Sequence, residues 1–278
     1  MEKEKHQAGF KIFKSILGII FTCYYRPKYL NKEVIPKDGP IIVCGNHIHL
    51  FDQCLPILAT KRMLHYMAKK EYFDGPFAWF FKAAGCISVD REHHGGTSKE
   101  IAEKVLNKKW ALGIYPEGTR NSLASKEEKL KEAYEYLKED ISLAKFKKII
   151  KKRMTLLSQY EFLKTLYNDN VITKEEFKKA LLDLDNYLIK LVKENKISKD
   201  TYKDTLLLPV KFGTVSLASK TNATIVPYAI TGKYQFLNNK LTIKFGKTFK
   251  VSKEDNLEEV NEKLQNEIKN IILESKDI

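Results

Sequence analysis

Six short apolar runs constrain the fold of this chain more than any other feature of its sequence. They cover residues 40–44, 64–68, 86–90, 111–115, 225–230 and 241–245. Most are separated by stretches of helical composition, and strands that alternate with helices are typical of α/β domains, not of all-α or all-β ones. The last run alternates apolar and polar residues, so one of its faces should be solvated. We expect a helix over 256–275 after it.

Residues 125–206 differ from the rest in composition, being rich in Lys, Glu and Leu and lacking Gly and Pro, and they predict several helices. Two segments of similar sequence lie within this region, at 172–178 and 197–203. Thr173 and Glu176 form a capping-box pair in the first, and Ser198 can cap a helix in the second. The predicted organisation has three parts. These are an N-terminal helical segment at 1–32, an α/β core at 33–124 and 207–278, and an inserted helical subdomain at 125–206.

A His and an Asp lie five positions apart directly after the first run, as His47 and Asp52. A His oriented by a carboxylate can act as a general base. On a regular helix the two side chains would lie about 140° apart, so their pairing needs a strand-to-helix turn, which Gly45 and the helix-compatible stretch 53–61 offer. In the alternative interpretation Asp52 caps that helix and His47 is an ordinary loop histidine.

Polar motifs also follow or end three other runs. They are Asp90-Arg91 after the turn at Gly85, Glu117-Gly118-Thr119-Arg120 after Tyr115-Pro116, and Val226-Pro227. An Arg at a strand end suits bidentate binding of a phosphate, and a Gly lets the backbone approach a ligand closely. Each motif alone is commonplace, because an Arg such as Arg91 or Arg120 is more often a surface ion-pair partner than a ligand.

In their order along the chain these motifs resemble the 1-acyl-glycerol-3-phosphate acyltransferase family. The blocks are Asn46-His47-x-x-x-x-Asp52, Gly85-x-Ile87-x-Val89-Asp90-Arg91, Pro116-Glu117-Gly118-Thr119-Arg120 and Val226-Pro227. The stretch 67–73, with Lys70-Glu71, is also similar to that family. The resemblance covers about 35–124 and 207–250, and it implies an α/β fold in which helices flank a mixed sheet.

The resemblance also implies roles for individual residues. His47 would deprotonate the free hydroxyl of the acceptor, and Asp52 would hold the imidazole in the required tautomer. The residues implied for the phosphate and glycerol site are Arg91, Glu117, Gly118, Thr119 and Arg120, with Lys69 as a further phosphate contact. The acyl donor would be acyl-CoA or acyl-carrier protein, and the attack on its thioester would need no metal, no other cofactor and no covalent enzyme intermediate.

The chain departs from the family pattern in two places. His49 stands where the family usually has a small hydroxyl residue, although only His47 has the required spacing to Asp52. The Lys-x-Gly motif at 211–213 lies about ninety residues after Arg120, whereas in the family it follows much sooner, so an insertion separates the two blocks.

The N-terminal stretch 10–25 is apolar apart from five residues and ends in Tyr24-Tyr25-Arg26-Pro27. A spanning helix needs about 20 predominantly apolar residues, and the bulky end does not suit a signal-peptidase site. We therefore predict an interfacial helix that attaches the protein, peripherally or monotopically, to the cytoplasmic face of a membrane. The alternative is a helix buried against the domain.

Lys and Arg outnumber Asp and Glu by 49 to 35, a net charge of +14. Such a balance is typical of proteins that bind nucleic acid, anionic membranes or anionic substrates. Residues 145–153 combine basic side chains with an apolar stripe, which fits either a second membrane-surface helix or an ordinary packing face. The four cysteines show no metal-binding spacing, so reduced, buried thiols are expected.

Two classes of function fit these observations. The first is a membrane-associated acyltransferase that makes phosphatidic acid from 1-acyl-glycerol-3-phosphate in phospholipid synthesis, with glycerol-3-phosphate or another lysophospholipid as alternative acceptors. The second is a non-catalytic basic protein that binds anionic membranes or nucleic acid. Only the first accounts for His47, Asp52, Arg91 and the Glu117–Arg120 block together, so no nucleic-acid partner is expected.

Overall fold

The computed structural model describes residues 7–76, 78–89, 96–237, 240–276 and 278. Seven strands are present in that part of the chain. They are β1 (Lys28–Leu30), β2 (Ile41–Gly45), β3 (Leu64–Lys69), β4 (Ile87–Val89), β5 (Ala111–Ile114), β6 (Thr224–Thr231) and β7 (Thr242–Phe245). The six strands predicted from the sequence are confirmed, with ends shifted by a residue or two, and the predicted α/β class is confirmed with them.

The strands form one mixed sheet in the order β1-β7-β6-β2-β5-β3-β4. Strands β6, β2, β5, β3 and β4 run parallel to their neighbours, whereas β7 is antiparallel to β6 and pairs in parallel with β1. All five residues of β2 are buried, as expected for a central parallel strand covered on both faces. Burial alternates along β7, which confirms its predicted solvated face.

Thirteen α-helices occur in the described residues. They are α1 (Gln7–Tyr25), α2 (Cys54–Ala59), α3 (Glu71–Asp74), α4 (Ala78–Ala83), α5 (Gly96–Asn107), α6 (Glu127–Glu135), α7 (Leu143–Arg153), α8 (Leu157–Asn168), α9 (Lys174–Leu182), α10 (Leu184–Lys193), α11 (Lys199–Asp204), α12 (Gly213–Thr221) and α13 (Leu257–Leu273). Helices α5 and α12 contact each other and the sheet. The predicted C-terminal helix is confirmed as α13.

The chain divides into two compact units. The sheet unit comprises the chain up to Asn46 together with Leu50–Pro116 and Lys211–Ile268, and the helical unit comprises His47–His49, Glu117–Val210 and Lys269–Ile278. Within the sheet unit, the backbone N–H of Lys211 donates to the carbonyl of Pro116 at 2.9 Å. The insertion between Pro116 and Lys211 therefore begins and ends at neighbouring positions of the sheet unit. The predicted domain boundaries at 32, 124 and 206 stay predictions.

Six helices, α6 to α11, confirm the predicted helical character of residues 125–206. Thr173 and Glu176 form the predicted capping box at the start of α9, and Ser198 caps α11 through the N–H of Thr201. These side chains satisfy backbone donors that a helix start leaves without intrahelical partners.

Helix α7 carries the basic run 145–153. Its apolar residues Phe146 and Ile150 are fully buried, and the helix contacts α6 and α9. The packing interpretation of this stripe is thus the correct one, and the alternative of a membrane-surface helix is wrong because the apolar side already packs inside the helical unit.

Helix α1 lies in the sheet unit and has apolar residues on both its buried and its exposed sides. Phe10 and Phe21 are buried and α1 contacts α2, while a row of large apolar residues on α1 is exposed, namely Ile12, Ile16, Ile19, Ile20 and Tyr24. The window Ala8–Tyr25, with a mean hydropathy of 1.2, is long and apolar enough to cross a membrane by length and composition. The length of α1 therefore does not distinguish an interfacial helix from one that spans a membrane.

Candidate active site

The polar motifs of the sheet unit gather at one edge of the sheet. Because β2, β3, β4, β5 and β6 run in the same direction, their carboxyl ends share that edge. Asn46 directly follows β2, Lys69 ends β3 and Tyr115 directly follows β5. Ligands of open α/β sheets bind outside the carboxyl ends of the strands. This edge is therefore where a site is expected in the sheet unit.

Asn46 fastens the end of β2 to β6. Its amide Nδ2 donates to the carbonyl of Ile230 at 2.9 Å, and its Oδ1 accepts from the N–H of the same residue at 2.7 Å. Both bonds are buried. The Asn of the first motif thus has a structural role, since it extends the pairing of the two strands up to the start of the loop.

Asp52 is fully buried in the loop before α2. Its Oδ1 accepts a hydrogen bond from the hydroxyl of Tyr234 at 2.7 Å, and Tyr234 in turn lies against Tyr25 and Phe21 of α1, with ring centroids 5.5 and 6.4 Å away. The residue at the N-cap of α2 is Gln53, which makes no side-chain capping bond. The carboxylate of Asp52 is therefore oriented by a tertiary contact that the local sequence does not reveal.

Burial, and then the charge and hydrogen bond of Asp52, raise the pKa of Tyr234 well above its usual value. The phenol consequently stays protonated at neutral pH and donates to the carboxylate. No sequence motif marked Tyr234, which lies 182 positions after Asp52.

Three further tyrosines respond to the charge of this carboxylate. Burial comes first among the causes that raise the pKa values of Tyr66, Tyr115 and Tyr228, and the negative charge of Asp52 contributes to each. Two glycines make room for these rings, because a Cβ on Gly45 would lie 2.5 Å from Tyr228 and one on Gly113 would lie 2.4 Å from Tyr66. Asp52 is thus buried in a region that also contains several protonated phenols.

His47 lies in the helical unit, where loop 117–121 fixes its backbone. Its N–H donates to Oε1 of Glu117 at 2.8 Å, and its carbonyl accepts from the N–H of Asn121 at 2.6 Å. The side chain of His47 is half-buried, as is that of His49. The backbone position of the predicted general base is therefore set by two hydrogen bonds.

Glu117 is 2% exposed, and each of its carboxylate oxygens accepts a backbone N–H. Oε1 binds His47, and Oε2 binds Leu208 at 2.9 Å. Carboxylates that accept backbone hydrogen bonds make strong, charge-assisted contacts. In the structure this residue joins the His47 segment to the end of the helical insertion, and its implied contact with substrate stays a prediction.

The rest of the block offers cationic and hydroxyl groups. Gly118 has a φ of 68°, and the Thr119 hydroxyl accepts from Nζ of Lys126 at 2.9 Å. Arg120 is half-buried, and among the residues that the structure describes its guanidinium makes neither an ion pair nor a hydrogen bond. No sequence motif marks Lys126, because only the turn at 123–125 returns this lysine to Thr119.

The remaining predicted site residues are placed less completely. Lys69 is exposed at the end of β3 and pairs in register with Val89. Arg91 and Asp90, from the second motif, lie outside the described residues. Within the described part of the chain no group of three or more His, Cys, Asp or Glu is arranged to hold a metal ion. The structure brings His47, Glu117 and Asn121 together, and the pairing of His47 with Asp52 stays a prediction.

Comparison with known proteins gives the family. A sequence model of the family described as Acyltransferase matches residues 26–231, well over half of the chain. The chain belongs to the acyltransferase family. The matched residues of this acyltransferase include all four motifs and the whole helical insertion, and the resemblance found in the sequence is confirmed.

Relatives with assigned names match shorter parts of the acyltransferase. The 1-acyl-sn-glycerol-3-phosphate acyltransferase of Bacillus subtilis (strain 168) is 32% identical over 115 residues, covering 41% of this chain and 58% of the relative. A protein of the same name from Streptococcus pneumoniae (strain ATCC BAA-255 / R6) is 32% identical over 98 residues, covering 34% of this chain and 37% of that relative. The chain thus matches less than two thirds of the length of these relatives.

A solved structure supports the same fold. The 1-acyl-sn-glycerophosphate (LPA) acyltransferase, PlsC, from Thermotoga maritima gives a TM-score of 0.56 at 16% identity, over 100% of this chain and 85% of that one. At this level of identity the likeness concerns the fold alone.

Cys54, two residues after Asp52, is unsuited to nucleophilic chemistry. Burial, and next the charge of Asp52, raise the pKa of Cys54 to about 12. Because the thiolate is the nucleophilic form of cysteine, this thiol is inert at neutral pH.

Proposed function

We propose that this acyltransferase moves a fatty acyl group from an acyl thioester to the free hydroxyl of 1-acyl-glycerol-3-phosphate, giving phosphatidic acid. The observation that carries the proposal is the His-Asp block followed in order by the Asp-Arg and Glu-Gly-Thr-Arg blocks, inside the region that the family model matches. The names of the relatives support the choice of acceptor.

In the proposed reaction His47 takes the proton of the acceptor hydroxyl while the oxygen of that hydroxyl attacks the carbonyl carbon of the thioester. The C–O bond forms, and collapse of the tetrahedral intermediate breaks the C–S bond. The imidazolium then returns its proton to the departing thiolate, so the enzyme ends as it began. Asp52 is proposed to hold the imidazole tautomer, and the hydroxyl of Tyr234 is a positioning group that fixes the carboxylate.

The phosphate of the acceptor is proposed to bind the cationic groups of the motifs. Arg120 has no acid partner among the described residues, and the ammonium of Lys126 donates a hydrogen bond to the hydroxyl of Thr119. A guanidinium can grip two phosphate oxygens at once, and an ammonium adds a compact charge. Arg91 and Lys69 are proposed as additional contacts on sequence grounds, while Glu117 supports the site by holding the backbone of His47.

We further propose that α1 attaches the protein to the cytoplasmic face of a membrane along its length. The exposed row from Ile12 to Tyr24 continues onto Phe236, whose ring centroid lies 4.9 Å from that of Tyr24. Phe10 and Phe21, near the two ends of α1, are buried in the sheet unit. A helix that keeps one side on a folded domain suits interfacial insertion better than a span surrounded by lipid.

The decisive experiment is an acyl-transfer assay with purified protein, acyl-CoA or acyl-carrier-protein donors, and a panel of acceptors. The panel contains 1-acyl-glycerol-3-phosphate, glycerol-3-phosphate and a lysophospholipid with a substituted phosphate. We expect the first acceptor to give the highest kcat/KM. A preference for glycerol-3-phosphate would reassign the acceptor, and no transfer to any acceptor with either donor would reject the enzyme function.

A further inference from the structure

A basic groove beside α1 lies apart from the motifs described above. It is open, has a volume of about 880 Å³ and belongs to the sheet unit. Its lining includes Lys11, Lys14, Tyr29, Lys32, Leu58 and Lys61. Leu58 and Ala59 form the C-terminal end of α2, whereas Asp52 precedes its N-terminus. The groove is therefore at the opposite end of this helix from the predicted catalytic carboxylate.

The charge of the groove favours an anion. Four of its lining residues are lysines, and none of those that the structure describes is acidic. Lys14 is half-buried and its ammonium donates to the backbone carbonyl of Thr60. No carboxylate among the described residues pairs with it, and burial lowers its pKa. An ammonium held in place without a counter-charge is a ready partner for an anionic group.

A neutral donor also faces this region. The hydroxyl of Tyr29 is buried and has no hydrogen-bond partner in the part of the chain that the structure describes. Burial raises the pKa of Tyr29 above its ordinary value, so the hydroxyl stays protonated. A buried donor without a partner is costly, and a ligand oxygen would remove that cost.

The apolar part of the groove favours a lipid over a soluble anion. Ile19 and Leu58 line it, and Ile19 is also a member of the exposed apolar row of α1, being 67% exposed. The groove is therefore continuous with the surface that we propose to enter the membrane. A ligand with a phosphate beside acyl chains fits both parts at once.

We infer that this groove binds the headgroup of an anionic membrane phospholipid, which is a site separate from the one for the reacting acceptor. The phosphate contacts Lys14 and the lysines at the rim, and the acyl chains follow Ile19 into the bilayer. The inference rests on the proposed membrane attachment by α1. It makes the attachment selective for lipid charge at one defined place rather than through the overall basic surface.

The test measures binding of the full-length protein to phosphatidylcholine vesicles with and without added phosphatidylglycerol. Lys14→Gln with Lys61→Gln should lower affinity for the anionic vesicles about thirtyfold, on a contribution of roughly 1 kcal/mol per basic residue at such a surface. The matched control, Lys148→Gln with Lys152→Gln on α7, removes the same charge from exposed positions of the helical unit. Equal losses in both pairs would overturn the inference.

A second variant fills the groove without changing charge. Ser15→Trp should abolish the preference for anionic over neutral vesicles, measured as the ratio of the two affinities, whereas an unchanged ratio would overturn the inference. Inorganic phosphate should compete only weakly, and competition as strong as that of the lipid would assign the groove to a soluble anion instead. Thermal melting of each variant checks that the fold is kept.

A third pair separates this inference from the attachment on which it rests. Ile16→Ser with Ile20→Ser removes apolar side chains that are 54% and 62% exposed, and should reduce binding to both kinds of vesicle. If this pair binds neutral vesicles as well as the unaltered protein does, the attachment by α1 fails. None of these binding experiments measures acyl transfer. A negative result for the groove or for the attachment by α1 therefore leaves the proposed enzyme function untouched.

Discussion

The two units of this acyltransferase hold their polar groups in different ways. In the sheet unit Asp52 is fully buried and accepts a hydrogen bond from Tyr234, whose ring packs against α1. In the helical unit His47 and Arg120 are half-buried, and the segment of His47 is ordered by hydrogen bonds to loop 117–121. Core packing therefore fixes one set of groups, and loop hydrogen bonds fix the other. Substitution of Tyr234 should therefore mainly cost stability, and substitution of His47 or Arg120 should mainly cost activity.

The largest effect is expected for His47→Ala. General-base catalysis supplies about 10²–10⁴ in rate, so turnover should fall about a thousandfold. The melting temperature should change little because the side chain is half-buried. His49→Ala, two residues away, is the matched control and should stay active. An inactive His49 variant beside an active His47 variant would assign the base to the other imidazole.

Glu117→Gln should show whether loop order in the helical unit controls activity. One carboxylate oxygen becomes an amide that cannot accept from the N–H of His47 or Leu208. The free energy of unfolding should fall by about 3 kcal/mol, because a buried, charge-assisted hydrogen bond is replaced by two donors that face each other. We expect kcat to fall even under conditions in which the variant remains fully folded. Glu128→Gln, at an exposed position of α6, is the control. Unchanged kcat would mean that the loop keeps its order without this carboxylate.

Tyr234→Phe is the corresponding test in the sheet unit. It removes the 2.7 Å hydrogen bond to Asp52 and leaves the ring in place. Loss of a hydrogen bond to a buried carboxylate should lower the free energy of unfolding by about 2 kcal/mol, measured by denaturant titration. Tyr24→Phe, at an exposed tyrosine of α1, should be neutral. Equal stability of the two variants would contradict the view that Asp52 depends on this phenol.

Arg120→Ala should act on acceptor binding and not on stability. Loss of a charge-assisted contact worth about 1.5–2 kcal/mol should raise the KM for the phosphorylated acceptor about tenfold or more. The KM for the acyl donor should be unchanged, and Arg91→Ala should behave in the same way. Lys145→Ala, an exposed lysine on α7, serves as the control. Unaltered dependence on acceptor in both arginine variants would remove them from the phosphate site.

The smallest effect concerns the stability of the helical unit at acid pH. Burial alone would raise the pKa of Asp185, but Lys276 and hydrogen bonds from Gln159 and Tyr202 outweigh it, so the pKa lies below its ordinary value. A lowered folded pKa means that stability is present above the unfolded pKa, near 4, and is lost as the pH falls through the folded pKa.

Asp185→Asn should therefore cost about 1 kcal/mol at neutral pH, a value reduced by the partial exposure of the pair. It should also flatten the loss of stability between neutral and acid pH. The measurement is denaturant unfolding across that range, with Asp200→Asn at an exposed position as the control. A parallel pH dependence in variant and unaltered protein would contradict the assigned pKa direction.

Local patterns predicted the elements that are stabilised locally. The strands of the core were visible because buried parallel strands need continuous apolar runs, and the caps at Thr173 and Ser198 were visible because capping is a short-range interaction. Strand β1 was missed. Its three residues, Lys28–Leu30, are too few to show a period, and they form a strand only because β7 offers an edge.

The sequence by itself determined the α/β class, the family and the order of the reactive motifs, since these depend on residue type and spacing along the chain. Only the tertiary structure decided that Tyr234 holds Asp52, that Glu117 holds the backbone of His47, and that Lys126 reaches Thr119. It also decided that the apolar side of α7 packs inward while that of α1 stays exposed. Amphipathic helices look alike in sequence, because burial depends on which surfaces the folded chain brings against them.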